Sequence, residues 1–208
     1  SDNPDIAYVN TNGKVLALKE GEATITAVTG DYKVNGKKSA VCKISVYAKI
    51  PATSILTGQK DIIMIKGGKE TISATVTPAD TTDKLKFTSD NPRVASVNKR
   101  TGAVTAVSTG TATITITSSS GKQTTVGVTV VGLNYTSCTL EQYDTFQLKL
   151  EAGGNEGDYN VSWNSSNPAV ATVSQNGLVT GKMAGTTVIT AYVNGASLTC
   201  NVRVNDIR

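Results

Sequence analysis

Histidine is absent from all 208 residues, and that gap removes much chemistry. Without an imidazole there is no general base of the commonest kind, no Ser–His or Cys–His nucleophile, and no usual zinc or copper ligand set. Aromatics make up only 5% of the chain, with a single Trp. That is little bulk for one large globular core, whereas paired β-sheets need a core only one layer deep. No apolar run approaches the roughly 20 residues that cross a bilayer, and no signal-peptide pattern opens the chain. No amphipathic stretch at the helical period exceeds about two turns. The 20 Lys and Arg exceed the 16 Asp and Glu by little, and they are spread along the chain without a basic cluster beside stacking aromatics. Nucleic acid is therefore not an expected partner.

Cysteine is scarce too, at three residues with no C-x-x-C spacing. Ser and Thr are abundant but lack a base to activate them. Gly67–Gly68 and Gly153–Gly154 lack the Lys-Ser/Thr ending of a phosphate loop. Glu151, Glu156 and Asp158 crowd one loop with oxygen ligands that suit calcium. Their spacing matches no calcium-loop pattern, so a solvated hairpin tip is expected, as it is for Asp80 and Asp83 after Pro78. A thin sandwich offers no cleft for paired catalytic acids. The expectation is a protein with no catalytic residues, cofactor or metal.

What is present is a repeat. Ser1-Asp2-Asn3-Pro4-Asp5-Ile6-Ala7-Tyr8-Val9 returns as Ser89-Asp90-Asn91-Pro92-Arg93-Val94-Ala95-Ser96-Val97. It returns again as Ser165-Ser166-Asn167-Pro168-Ala169-Val170-Ala171-Thr172-Val173. Each copy continues through a turn (Asn12-Gly13, Thr101-Gly102, Asn176-Gly177), a short β-branched run at Val15, Val104 and Val179, and a second glycine, Gly21, Gly110 or Gly185. A strongly alternating strand follows. Its Ile25, Ile114 and Ile189 are expected to point inward, while Thr24, Thr113 and Thr190 face water. Asn-Pro starts a turn after an extended residue, Asn-Gly suits a tight hairpin, and the second glycine suits a φ that other residues resist. Asp2 and Asp90 are expected to cap local backbone amides beside the Asn-Pro turn. Phe87 and Trp163 stand two residues before the motif, which suits a central plug between two sheets. Tyr135, Tyr143, Tyr159 and Tyr192 gather in the third copy. They suit either a stacking surface for sugars or a protein partner, or a border covering the core and the seams between units.

An aromatic, then Ser-x-Asn-Pro-x-Val-Ala-x-Val, then x-Gly-x-Val-Thr, then x-Gly-Thr-x-x-Ile-Thr resembles the bacterial Ig-like domain of group 2. The resemblance covers nearly the whole chain. It departs where Phe87 replaces the usual Trp and where Gly181-Lys182-Met183-Ala184 is less regular. It implies an all-β fold of tandem Ig-like sandwiches of about seven strands: half of one unit at residues 1–48, then complete units at 52–131 and 133–205. Lys49–Ala52 and Val131–Asn134 are expected as short, semi-rigid connectors. Such domains occur in bacterial adhesins, surface enzymes and phage structural proteins. The implied function is a non-catalytic stalk of a secreted or cell-surface protein, presenting a neighbouring domain. The alternative is an adhesive module for host protein or polysaccharide through the tyrosines of the third repeat. No membrane insertion of this stretch is expected.

First and last strands run side by side in an Ig-like sandwich, which implies a Cys138–Cys200 disulfide in an oxidising, extracellular setting. Closing that loop would contribute about 4 kcal/mol on the chain-entropy model. Free, buried thiols are the alternative. Cys42 stands at the place equivalent to Cys200, and its partner strand falls outside the sequence. The chain thus reads as a fragment starting inside a repeat. The first unit's apolar face is then expected to need completion, by another segment or by strand exchange with a second copy.

Overall fold

Glycines mark where the long alternating strands begin. Gly21, Gly110 and Gly185 have φ of 138°, 136° and 151°, a region L side chains avoid. A Cβ on Gly110 would lie 3.0 Å from a methyl of Val94, and one on Gly185 equally close to Val170. The glycine therefore lets the strand start pressed against the Asn-Pro motif.

The computed structural model describes residues 1–30, 38–153 and 159–206. These contain strands and no helix. The chain divides into two compact units, Ser1–Ile50 and Pro51–Arg208.

The first unit holds β1 (Ala7–Val9), β2 (Val15–Ala17), β3 (Gly21–Val28) and β4 (Ser39–Val46), paired as two antiparallel hairpins, β1–β2 and β3–β4. Among its described residues the buried hydrophobics are Ala7 and Ala23, while Leu16, Leu18 and Val41 are exposed. Small alternating residues make good strands here, but among the described residues only the short β1–β2 hairpin lies against β3–β4.

The second unit contains both remaining repeats. The second repeat runs through β5 (Ser54–Thr57), β6 (Asp61–Ile65), β7 (Lys69–Thr71), β8 (Ala74–Thr77), β9 (Leu85–Ser89), β10 (Ala95–Val97), β11 (Ala103–Ala106), β12 (Gly110–Ser118) and β13 (Gln123–Leu133). β12 pairs antiparallel with β13 and β9, and β6 runs parallel along β13. Facing them are β10–β11–β7 and the β5–β8 pair. Between the layers lie Ile114, Ile116, Val126, Val128 and Phe87, all buried.

The third repeat uses β14 (Ser137–Glu141), β15 (Thr145–Gln147), β16 (Leu150–Glu151), β17 (Val161–Ser165), β18 (Ala171–Val173), β19 (Leu178–Gly181), β20 (Gly185–Val193) and β21 (Ala196–Asn205). As β6 does along β13, an early strand, β14, runs parallel to the last, β21, and β20 and β17 complete that layer. β18–β19–β15 faces it. Leu148, Val179, Ile189 and Val202 fill the gap.

The stretch expected as a short, semi-rigid connector between these repeats, Val131–Asn134, is strand as far as Leu133. β13 continues to Leu133, and Gly132 and Leu133 pair with Glu151 and Leu150 of β16. Val131, Leu150 and Val193 form a separate buried cluster, with Ile63, Tyr159, Val161 and Leu198 packed on it. One strand therefore belongs to both repeats, and an apolar seam closes around it.

Candidate functional site

The repeated motif spends its polar side chains on the backbone. Asp2 accepts from the Thr24 amide at 2.6 Å, and Asp90 from the Thr113 amide at 2.7 Å. Ser166 takes this role in the third repeat, accepting from Val188 at 2.9 Å. These partners lie 22 or 23 residues away, so the expectation of local caps is corrected: the carboxylates clip the motif to the alternating strand. Hydrogen bonds from Thr24, both amide and hydroxyl, hold the Asp2 carboxyl below its ordinary pKa.

Asp83 is likewise no solvated tip. It accepts from the Ala52 amide at 2.9 Å, from the Ser120 amide at 3.2 Å and from the Ser120 hydroxyl. The Ser120 hydroxyl is the largest influence, followed by the Ala52 amide, and together they lower the Asp83 pKa. One carboxylate thus fastens the chain's entry into the second repeat to the β12–β13 turn. Of the acids grouped at 151–158, Glu151 lies exposed in β16; Glu156 and Asp158 lie outside the described residues. No group of three Cys, Asp or Glu side chains is arranged to hold a metal ion among the described residues. Every buried side-chain nitrogen or oxygen there has a hydrogen-bond partner.

Cys138 sits opposite Val202 in the parallel β14–β21 pair. Cys200, two residues earlier on β21, therefore shares its face of the sheet. Both thiols are free, and they lie within hydrogen-bond reach of each other. Burial, and then the neighbouring Cys138, pushes the Cys200 thiol up to about 12. Burial raises Cys138 as well, partly offset by the hydrogen bond with Cys200. Cys42 lies exposed on β4, opposite Ile25.

Phe87 is buried in the second core, and Trp163 packs, partly buried, against the third. The four tyrosines do not form one face. Tyr159 belongs to the seam, its hydroxyl donating to the Gly153 carbonyl at 2.6 Å. Tyr135 precedes β14 and meets Phe146 edge-on, with ring centroids 5.1 Å apart. Tyr143 lies beyond the opposite end of β14, its amide donating to Gly181. Tyr192 lies on β20 between Ser162 and Ser197. Tyr135, Tyr143 and Tyr192 are 53%, 69% and 48% exposed.

Sequence reading missed one feature. On the flank of the second repeat, between residues 71–74 and β9, lies a groove of about 1030 Å³. Lys84, Lys86, Lys99 and Arg100 line it, over a floor that includes Ile72, Leu85 and Phe87. The cations reach one place because the Phe87 amide donates to the Lys99 carbonyl at 3.1 Å, which fastens the β10–β11 turn to β9. Along the sequence they are two unremarkable pairs. The corresponding groove of the third repeat, about 470 Å³, has Val161 and Trp163 on its floor, Gln175 and Asn176 at the turn and Lys149 as its one cation.

Two facing β-layers, an early strand parallel to the last and a large aromatic packed on the core define tandem Ig-like β-sandwiches. The chain belongs to the bacterial Ig-like domain (group 2) family, whose profile matches residues 1–42, 51–128 and 127–202. Ice-binding protein 1 of Shewanella frigidimarina is 29% identical over 217 aligned positions, 97% of this chain and 23% of that protein. An uncharacterized protein of Clostridium acetobutylicum is 31% identical over 59% of this chain and 12% of its own length. The chain thus spans less than a quarter of either relative. Among solved structures, the C-terminal fragment of intimin in complex with its receptor's intimin-binding domain aligns with a TM-score of 0.46 at 19% identity. That alignment covers 75% of this chain and 65% of the intimin chain. Domains 4–9 of the surface layer protein SbsC align with a TM-score of 0.34 at 20% identity, over 99% of this chain and 38% of that one.

Proposed function

We propose that this chain is a non-catalytic spacer of a bacterial cell-surface or secreted protein, holding a neighbouring adhesive or enzymatic domain at a set position. The observation that carries the reading is the seam between the second and third repeats, where a shared strand and a buried apolar cluster join two sandwiches. A spacer needs stiffness at its joints more than it needs a pocket, and interfaces that are apolar restrict relative motion. The match to a relative named for binding ice, of which this chain spans 23%, suits a supporting role beside a binding part. We place the divisions between repeats near residues 48–52 and 131–133; the family matches at 1–42, 51–128 and 127–202 support three repeats. Spin labels placed on exposed strand positions of the second and third repeats test the reading. A single narrow distance distribution is expected, broadened by Val131→Asp; a broad distribution in the unaltered chain would sink the spacer.

The adhesive alternative draws on the exposed Tyr135, Tyr143 and Tyr192. Their separation along β14 and β20 favours single contacts over one stacking platform. A glycan array and capture of host extracellular proteins, compared with a chain carrying all three as Ser, decide between the readings.

We also propose that Cys138 and Cys200 become a disulfide in an oxidising compartment. Two thiol hydrogens leave, and a disulfide oxidant such as oxidised glutathione is reduced to two thiols. Intact mass of a Cys42→Ser chain, which removes the exposed thiol that would itself take up glutathione, should fall by about 2 Da after exposure to that oxidant. Recovery of both Cys138 and Cys200 as alkylatable thiols in the unfolded, unreduced protein would end the idea.

A further inference from the structure

We propose that the groove on the second repeat binds an acidic polysaccharide, with uronate carboxylates at Lys84, Lys86, Lys99 and Arg100 and a sugar ring lying on its apolar floor. Two properties of the groove lead there. Its rim is cationic from two sides, since Lys84 and Lys86 come from the β9 flank and Lys99 and Arg100 from the β10–β11 turn, and no carboxylate lines it. Its floor is aliphatic and aromatic, built from Ile72, Leu85 and Phe87. A pyranose presents C–H bonds on its faces and, when it is a uronic acid, a carboxylate at its edge. Apolar floor and charged rim match those two parts separately. A linear polyol phosphate would satisfy the rim and leave the floor uncovered.

The site is held in place before any ligand arrives. The Ser119 hydroxyl accepts from the Lys84 amide at 3.0 Å, and the Ser119 amide donates to the Lys84 carbonyl at 3.1 Å. The Ile72 amide donates to the Gly102 carbonyl at 3.1 Å, joining the far wall to the turn. A preset rim avoids part of the ordering cost of binding.

Lysines on an edge strand have a blander use, which is to discourage pairing with other chains. The third repeat argues against that as the whole account. Its β17 occupies the same edge of its own sheet, yet carries Ser162 and Asn164 outward and has Asn160 before it. Edge protection also gives no reason for Lys99 and Arg100, which sit in a turn. The third repeat's groove has a single cation, Lys149, against four in the second, so the scaffold belongs to both repeats and the four-cation rim to one.

The test uses the full chain and polygalacturonate oligosaccharides, titrated by calorimetry at moderate salt. Saturable binding at one site is expected. It should weaken with salt and be lost with the fully methyl-esterified, neutral oligosaccharide. Lys86→Ser, which installs the third repeat's residue, combined with Arg100→Asn, both at exposed positions, should weaken binding roughly tenfold. Lys43→Ser with Lys182→Asn, an equal loss of charge outside the groove, should leave affinity within about twofold. Unchanged melting temperatures in both variants keep the comparison one of binding. Three results would overturn the proposal: no saturable binding, equal weakening by both double variants, or duplex DNA or poly(glycerol phosphate) bound as tightly as the uronate.

Discussion

Asp83 concentrates much of the second repeat's polar wiring in one side chain. It gathers Ala52 and Ser120, which lie 31 and 37 residues away along the chain. Its pKa is lowered on folding, so its contribution is complete above the ordinary aspartate pKa and is lost as pH falls through the folded value. Urea midpoints of the full chain should therefore drop below about pH 4. Asp83→Asn should be less stable at pH 7 and show a flatter acid limb; parallel pH profiles for the two proteins would refute this role. Neither Asp83 nor the Asp2 and Asp90 clips could be read from the sequence. An Asp beside a turn signals a local cap, whereas these carboxylates act across strands, and cross-strand register is not written near the residue. The cationic groove stayed hidden for the same reason.

The alternating strands were the most legible elements. Small β-branched residues at period two, bracketed by turn residues and a glycine of positive φ, leave little other than strand. Equivalent positions nevertheless carry unequal weight. Ile114 is fully buried between two layers, and Ile114→Ala should cost about 2–5 kcal/mol. Ile25 holds the same place in the first unit but is only partly covered, and Ile25→Ala should cost about 1 kcal/mol or less. Native-state amide hydrogen exchange, read repeat by repeat, checks both values. Equal losses would mean that the first unit is covered as thoroughly as the second. What the strand pattern concealed was β13, which passes from one sandwich into the next. Val131 and Leu133 look like the end of a repeat plus a connector, and only the β16 pairing shows otherwise.

Across the molecule, hydrophobic coverage is uneven. In the second unit, β12 and β13 are each flanked by a further strand, β9 and β6. In the first unit, β3 and β4 pair with each other and no other strand among the described residues. Open edges beside exposed Leu16, Leu18 and Val41 favour pairing with another chain. We expect concentration-dependent self-association of the full chain, weakened by Val41→Lys. Light scattering that reports a monomer at every concentration would rule out such exchange.

The parallel ladder between β6 and β13 has a mechanical consequence. If the two ends of this repeat are drawn apart, β6 and β13 are loaded lengthwise in opposite senses. Their backbone hydrogen bonds then resist as a group and do not open one by one, as in a peeled hairpin. The β14–β21 ladder is built the same way, so a tether made of such repeats would hold its length under tension, as an anchor in flowing water must.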